Sequence, residues 1–197
     1  MTGYKVITID NLNNALGKDG LETVLSCYSC PLNADIEDFL LHKALSFSHQ
    51  GLAKTHLVFA SYQEKIKLAG YFALAFKTLF IPDKANFSSS LKKRIKRFAT
   101  LIPETKMMVI SAPLIAQLGK NYSTDASNLI TGDELLKMAC DEIKKIQSTI
   151  GGKIAYLECE NAPKLISFYE DNGFRRFSER IDGEKTLLVQ MIRYFSD

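Results

Sequence analysis

The sequence predicts an α/β chain of the α+β kind, with a mixed, mostly antiparallel central sheet of about seven strands and helices on both faces. Three observations predict it. Short β-branched runs alternate with segments of helical periodicity in the order β-α-α-β-β-(α)-β-α-β-α-β-β. Paired strand-like runs are separated by short polar turns, and no internal repeat or long linker divides the chain. With 197 residues, 46% of them hydrophobic, there is enough chain to bury a core. Residues 1–197 therefore read as one domain, with 85–105 as a basic helical insert.

Each element has a local justification. Tyr4 to Ile9 (YKVITI) is β-branched and bounded by polar residues, as a strand is. Asn14 to Tyr28 carries Leu16, Leu21, Val24 and Leu25 at helical spacing, and Pro31 closes it. Asn33 or Asp35 caps a second helix with Ile36, Phe39, Leu40 and Leu45 on one face. His56 to Tyr62 and Leu68 to Ile81 form a hairpin about the polar turn Gln63 to Lys67. Ser88 to Ser90 precede LKKRIKRFATLI, an amphipathic surface helix with Leu91, Ile95 and Phe98 on one side and its cations on the other.

Met107 to Leu118 is a strand containing Pro113, which cannot donate to a ladder and implies a bulge, an edge position or a splay. A polar loop, Gly119 to Asn128, follows. Thr131 and Glu134 then form a capping box that opens a helix with Leu135, Leu136, Ala139, Ile143 and Ile146 on its buried stripe, ended by Gly151 and Gly152. Lys153 to Glu160 is a strand, and Ala162 to Asp171 a helix stopped by Asn172 and Gly173. Phe174 to Ile181 and Thr186 to Tyr194 close the chain as a hairpin around Asp182 and Gly183.

The formal net charge of +3 averages two unlike halves. Residues 1–100 hold 13 Lys and Arg against 8 Asp and Glu, a balance of +5, and residues 101–197 hold 12 against 14, a balance of −2. The excess is one basic island, Lys92, Lys93, Arg94, Lys96 and Arg97; a whole-surface nucleic-acid binder would be far more basic. No apolar run approaches the roughly 20 residues of a membrane span. The N-terminus lacks a secretory signal pattern, so a cytoplasmic protein with no membrane partner is expected. Cys27 and Cys30 form a C-x-x-C at the end of a helical stretch rather than at its start, and with Cys140 and Cys159 they read as reduced, incidental thiols. His42, His49 and His56 offer no metal-ligand spacing, and no metal is expected.

The chemistry concentrates in two segments. Free amides at a helix N-terminus, at Thr131-Gly132-Asp133-Glu134, make an anion site, with Gly132 allowing close approach. The second segment is the helix that runs through Phe168-Tyr169 to Gly173-Phe174. With the G-x-x-L-L start at Gly132 to Leu136 and the G-Y-F at Gly70 to Phe72, in this order and separation, the chain resembles the GNAT superfamily of acyl-CoA-dependent N-acyltransferases. The similarity runs from the first strand to the last.

That resemblance implies a V-shaped splay between the fourth and fifth strands that exposes backbone to the pantetheine arm of acetyl-CoA, the co-substrate. Gln117, Leu118, Gly119 and Lys120 would line the pantetheine, Thr131, Gly132, Asp133 and Glu134 would hold the pyrophosphate, and Asn161 matches an asparagine frequent before the last helix. Tyr169 matches the tyrosine that protonates the departing thiolate. Glu158 and Glu160 end the adjacent strand; Glu160 is the candidate base taken with Tyr169, and an ordered water is the alternative. Strand alternation puts 158 and 160 on the same side. The usual Arg/Gln-x-x-Gly-x-Gly/Ala loop is here Ser127-Asn128-Leu129-Ile130-Thr131-Gly132, with only the last glycine in place and a longer loop before it.

The implied activity is transfer of an acetyl group from acetyl-CoA to a primary amine, on a small molecule or a protein, by direct attack in a ternary complex. Two alternatives stand beside it: toxin-like acetylation of aminoacyl-tRNA, which the basic island would serve but which is not the favoured partner, and a non-catalytic protein that binds acyl-CoA or another partner. Pairing of the C-terminal strands would make a homodimer. Asp35 and Glu37 either cap the second helix or line an acceptor groove.

Overall fold

The structure, a computed structural model, describes residues 3–62, 65–124, 126–183 and 185–196. The expected turn residues Gln63 and Glu64, and Asp125 of the polar loop, lie outside these. Hydrogen bonds link an eight-stranded, mostly antiparallel sheet in the order β1-β2-β3-β5-β6-β8-β7, with β4 beside β5. The strands are β1 (Tyr4–Thr8), β2 (Lys54–Tyr62), β3 (Lys65–Pro82), β4 (Thr100–Ile102), β5 (Met107–Lys120), β6 (Ile154–Glu160), β7 (Arg175–Ile181) and β8 (Leu187–Tyr194). The chain divides into two compact units, Met1–Ala75 with Ala116–Ala139, and Phe76–Ile115 with Cys140–Asp197.

In the first unit, β1 pairs antiparallel with β2, Tyr4 opposite Ala60, and β2 with β3 through a bulge between Val58 and Phe59. Helix α1 (Ile9–Leu25) begins five residues earlier than its periodicity suggests, because the Thr8 side chain accepts from the Asn11 amide. Gly17, at φ 72°, interrupts its helical geometry and so shifts the phase of the apolar stripe. Leu21 and Leu25 are buried, but Leu16, expected on that stripe, is half exposed. Asn33 caps α2 (Ala34–Asp38) by accepting from the Asp35 and Ile36 amides at 3.0 and 3.2 Å. A π-helical turn, Phe39–Lys43, leads into α3 (Ala44–His49). Ile9, Leu21, Leu25, Leu40, Leu57 and Tyr71 form the centre of this core.

In the second unit, α4 (Ser89–Ile95) is shorter than the twelve-residue pattern suggested, and Thr100–Ile102 forms β4 against Met107–Val109 of β5. Pairing with β5 overrides the helical pattern there. Ile95 is fully buried while Phe98 is substantially exposed. β5 and β6 pair in parallel at Leu114 with Tyr156 and Ile115 with Leu157, immediately after Pro113. β6 and β7 both pair antiparallel with β8. Helix α5 (Gly132–Ile150) starts in the first unit and ends in the second, where Ile143 is buried and Ile146, expected on the same stripe, is partly exposed. Gly151 and Gly152, at φ 86° and 105°, stop it. Helix α6 (Pro163–Asp171) ends at Gly173, φ 83°.

Two glycines set the packing of the first unit. A Cβ on Gly70 would lie 2.8 Å from the Gly119 carbonyl oxygen and 3.2 Å from Leu135 Cδ2. A Cβ on Gly119 would lie 2.3 Å from the Tyr28 hydroxyl, 2.5 Å from Ile36 Cγ2 and 2.8 Å from Tyr71 Cε1. Gly119→Ala is therefore expected to lower unfolding free energy by about 2–3 kcal/mol in urea denaturation, as overpacking of a full core does. Gly3→Ala, at an open position, should leave it unchanged within about 0.5 kcal/mol.

Candidate active site

The sequence-selected residues fall into two sets, one in each unit. In the first, the end of β5 and the first turn of α5 converge on Gly70, whose missing side chain admits the Gly119 oxygen, Lys120 Cα and Leu135 together. Gln117, Leu118 and Lys120 are partly buried and Gly119 is buried. The Lys120 ammonium sits 5.3 Å over the Tyr122 ring. At the helix start the capping box forms: the Glu134 carboxylate accepts from the Thr131 amide at 2.8 Å and its hydroxyl at 2.9 Å, and the Glu134 amide donates to Thr131 Oγ1 at 3.2 Å. These bonds from Thr131 hold the Glu134 carboxyl below its usual range. Two of the four amides expected to cradle pyrophosphate are thus engaged within the box, and Asp133 and Glu134 make the first turn acidic. Tyr4 braces the loop ahead of the helix by donating to the Leu129 carbonyl at 2.8 Å.

Sequence reasoning missed Asn121. Its side chain, 1% exposed, donates to the Cys27 and Leu68 carbonyls at 3.1 and 2.8 Å and accepts from the Ser29 and Ser123 amides at 3.1 and 2.9 Å. It therefore locks residues 27–29 onto the chain just after β5. Glu37, weighed as a cap or groove residue, accepts from the Cys30 amide, and Asn33 is the cap. A cavity of about 600 Å³ in this unit is lined by Val24, Cys27, Phe59, Leu68 and Asn121 among others, and none of Gln117 to Lys120 lines it.

In the second unit Tyr169 is 8% exposed and packs edge-on to Phe168 and Phe174 at 5.0 and 5.9 Å. Burial, and then the neighbouring Cys159, raise its phenol pKa far above the usual value, so it is protonated at neutral pH. Strand alternation puts Glu158 and Glu160 on the face of β6 opposite to Cys159. Glu158 is held by side chains of β7 and β8. Arg180 grips it through Nε at 2.6 Å and a terminal nitrogen at 2.5 Å, Gln190 donates at 3.0 Å, and the Tyr156 hydroxyl donates as well. Burial alone would raise the Glu158 pKa, but the bonds from Arg180, Tyr156 and Gln190 bring it below its usual value. A carboxylate so occupied is a poor base. Glu160 and Asn161, by contrast, are exposed at the end of β6.

The four cysteines are free thiols. Burial pushes Cys159 up to about 11, with Glu160 adding to the shift. Among the described residues no group of three or more His, Cys, Asp and Glu could hold a metal ion, and no helix is long and apolar enough to cross a membrane. The basic island is partly committed within its own unit. Lys92 and Lys96 pair with Asp83 at 3.4 and 3.2 Å, and Arg94 lies 5.5 Å over the Tyr194 ring, while Lys93 and Arg97 are exposed.

No family model matches the chain, and no curated protein does. Solved structures match over nearly its whole length. A Tyr-to-Phe mutant of KacT superposes with a TM-score of 0.62 at 14% identity, covering 94% of this chain and 93% of that one. AtaT complexed with acetyl-methionyl-tRNAfMet gives 0.62 at 15% identity, with 95% and 94% covered. A GNAT-family protein from Desulfovibrio desulfuricans gives 0.51 at 14% identity, with 98% and 99% covered. AtaTR bound with AcCoA is a further neighbour. The chain has the fold of GNAT acetyltransferases.

The Glu158 network carries a pH signature. Its folded pKa lies below the unfolded value of about 4.3, so its stabilisation is complete above that pH and is lost as pH falls through the folded pKa. Glu158→Gln should destabilise the protein at pH 7, and the gap to wild type in denaturant midpoint should narrow steadily below about pH 4. A gap independent of pH would show that the charge contributes nothing.

Proposed function

We propose that this chain is an acetyl-CoA-dependent N-acetyltransferase acting on a primary amine by direct attack in a ternary complex. The observation that carries the reading is the fold shared over nearly the whole chain with a GNAT-family acetyltransferase and with AtaT, in which Tyr169 is a phenol at neutral pH. The amine nitrogen attacks the thioester carbonyl carbon, the C–S bond breaks, and the Tyr169 phenol gives its proton to the departing sulfur. Glu160, or a water beside it, takes the proton the amine sheds. Cys159, a thiol at neutral pH, is unsuited to an acyl-enzyme route.

Backbone groups of Gln117 to Lys120 would pair with the pantetheine arm, and the amides of Gly132 and Asp133 would meet the pyrophosphate, with Asn161 near the thioester. The two-pair ladder between β5 and β6 supports the splay this binding needs. We place the protein in the cytoplasm, with the C-terminal strands available for a homodimer. Replacing Tyr169 by Phe is expected to cut release of free thiol from acetyl-CoA at least about 100-fold, with the coenzyme A Kd from calorimetry changed less than twofold. Unchanged turnover would remove Tyr169 from the mechanism.

A second reading, aminoacyl-tRNA as the amine, is favoured by the neighbour complexed with acetyl-methionyl-tRNAfMet and by exposed Lys93 and Arg97. It predicts tRNA binding that weakens with salt, and a log–log salt slope shallower by about 2 when Lys93 and Arg97 are both replaced by Ala. Filter-binding titrations showing no salt dependence would leave a small molecule or protein as acceptor.

A further inference from the structure

The first unit holds an open cavity of about 600 Å³, within the size range of small-ligand pockets. It lies between the end of α1, the β2–β3 hairpin and the loop after β5, and none of its described lining residues is among those assigned to acetyl-CoA. Its walls are apolar, formed by Val24, Phe59, Ile66, Leu68 and Ala126. Ile66 is 72% exposed and Val24 and Phe59 are only partly covered, so this apolar surface is open to solvent. Asn121 also lines the cavity, but its four hydrogen bonds use both donors and both lone pairs of its amide, leaving nothing for a ligand.

The remaining polar lining is the Ser123 and Thr124 hydroxyls, the Cys27 thiol and Lys67, the one charged residue of the described lining. A second cation stands beside it. Pairing of β1 with β2 sets Lys5 opposite Phe59, and pairing of β2 with β3 sets Phe59 opposite Leu68, so exposed Lys5 shares a face with two lining residues. An apolar body with one anionic head complements such a lining, because the walls reward burial of hydrocarbon and the described charges beside them are positive. We infer that this cavity is a binding site for a medium-chain aliphatic carboxylate, its tail against Phe59, Ile66 and Leu68 and its head toward Lys67 and Lys5. The site shares no residue with the stretches assigned to acetyl-CoA, so the inference stands apart from that reading.

The test uses the full chain with decanoate, below its micelle concentration, as the probe. Alkylation of Cys27 by iodoacetamide, read by mass spectrometry, is the reporter, because Cys27 is exposed and lines the cavity while the other three thiols are buried. Calorimetry should give one decanoate per chain, and decanoate at ten times its Kd should slow Cys27 alkylation about 10-fold by mass action. Acetate, a head without a tail, should do neither, and decanol, a tail without a charge, should bind about 5-fold more weakly than decanoate. Ile66→Glu, at an exposed position, should keep the wild-type Tm and weaken decanoate binding at least about 10-fold. Replacing Lys5 and Lys67 together by Gln should erase the preference for decanoate over decanol. No decanoate binding, several decanoates per chain, decanol bound as tightly as decanoate, or Ile66→Glu binding as wild type does would each overturn the inference.

Discussion

The first unit depends on a backbone approach that only glycine permits. At Gly70 and Gly119 two paired strands come close enough that the carbonyl of one, the first turn of α5 and the Tyr28–Ile36–Tyr71 cluster all occupy space a β-carbon would need. Sheet twist and helix packing are generic consequences of pattern, but this contact fixes where the end of β5 lies relative to the start of α5. Those are the two backbone segments assigned to coenzyme A. The same packing sets the loop after α1 down on β5, and Asn121 holds it with two hydrogen bonds, to the Cys27 carbonyl and from the Ser29 amide, while two more tie it to Leu68 and Ser123.

In the second unit polar chemistry divides between the two faces of one strand. Cys159 on one face of β6 and Tyr169 on α6 are both buried, and burial suppresses ionisation of both groups. The opposite face carries Glu158, neutralised by Arg180 and bridged by Gln190 and Tyr156. Because Glu158 is occupied, the base we propose is Glu160 or water.

What the sequence made legible was local. The capping box at Thr131 and Glu134 and the stop at Gly173 depend on residues three or four apart, and they form as read. The fold class was equally visible, since alternating periods of two and 3.6 survive in a single sequence. The shortfalls share a cause. Asn121 finds three of its four partners 53 to 94 residues away, Glu158 meets Arg180 22 residues on, and β4 forms against the edge that β5 offers it. Leu16 was misread for a conformational reason, because Gly17 at φ 72° breaks the helical phase on which its burial was predicated.

The central claim is that backbone groups of β5 and the α5 start hold acetyl-CoA. Amide hydrogen exchange at single-residue resolution, with and without saturating acetyl-CoA, addresses it directly. The account predicts slowed exchange at Gln117 to Lys120 and at Gly132 and Asp133 together, with the interior amides of α1 unaffected. Protection confined to other segments, or none at all while acetyl-CoA is bound, would contradict it.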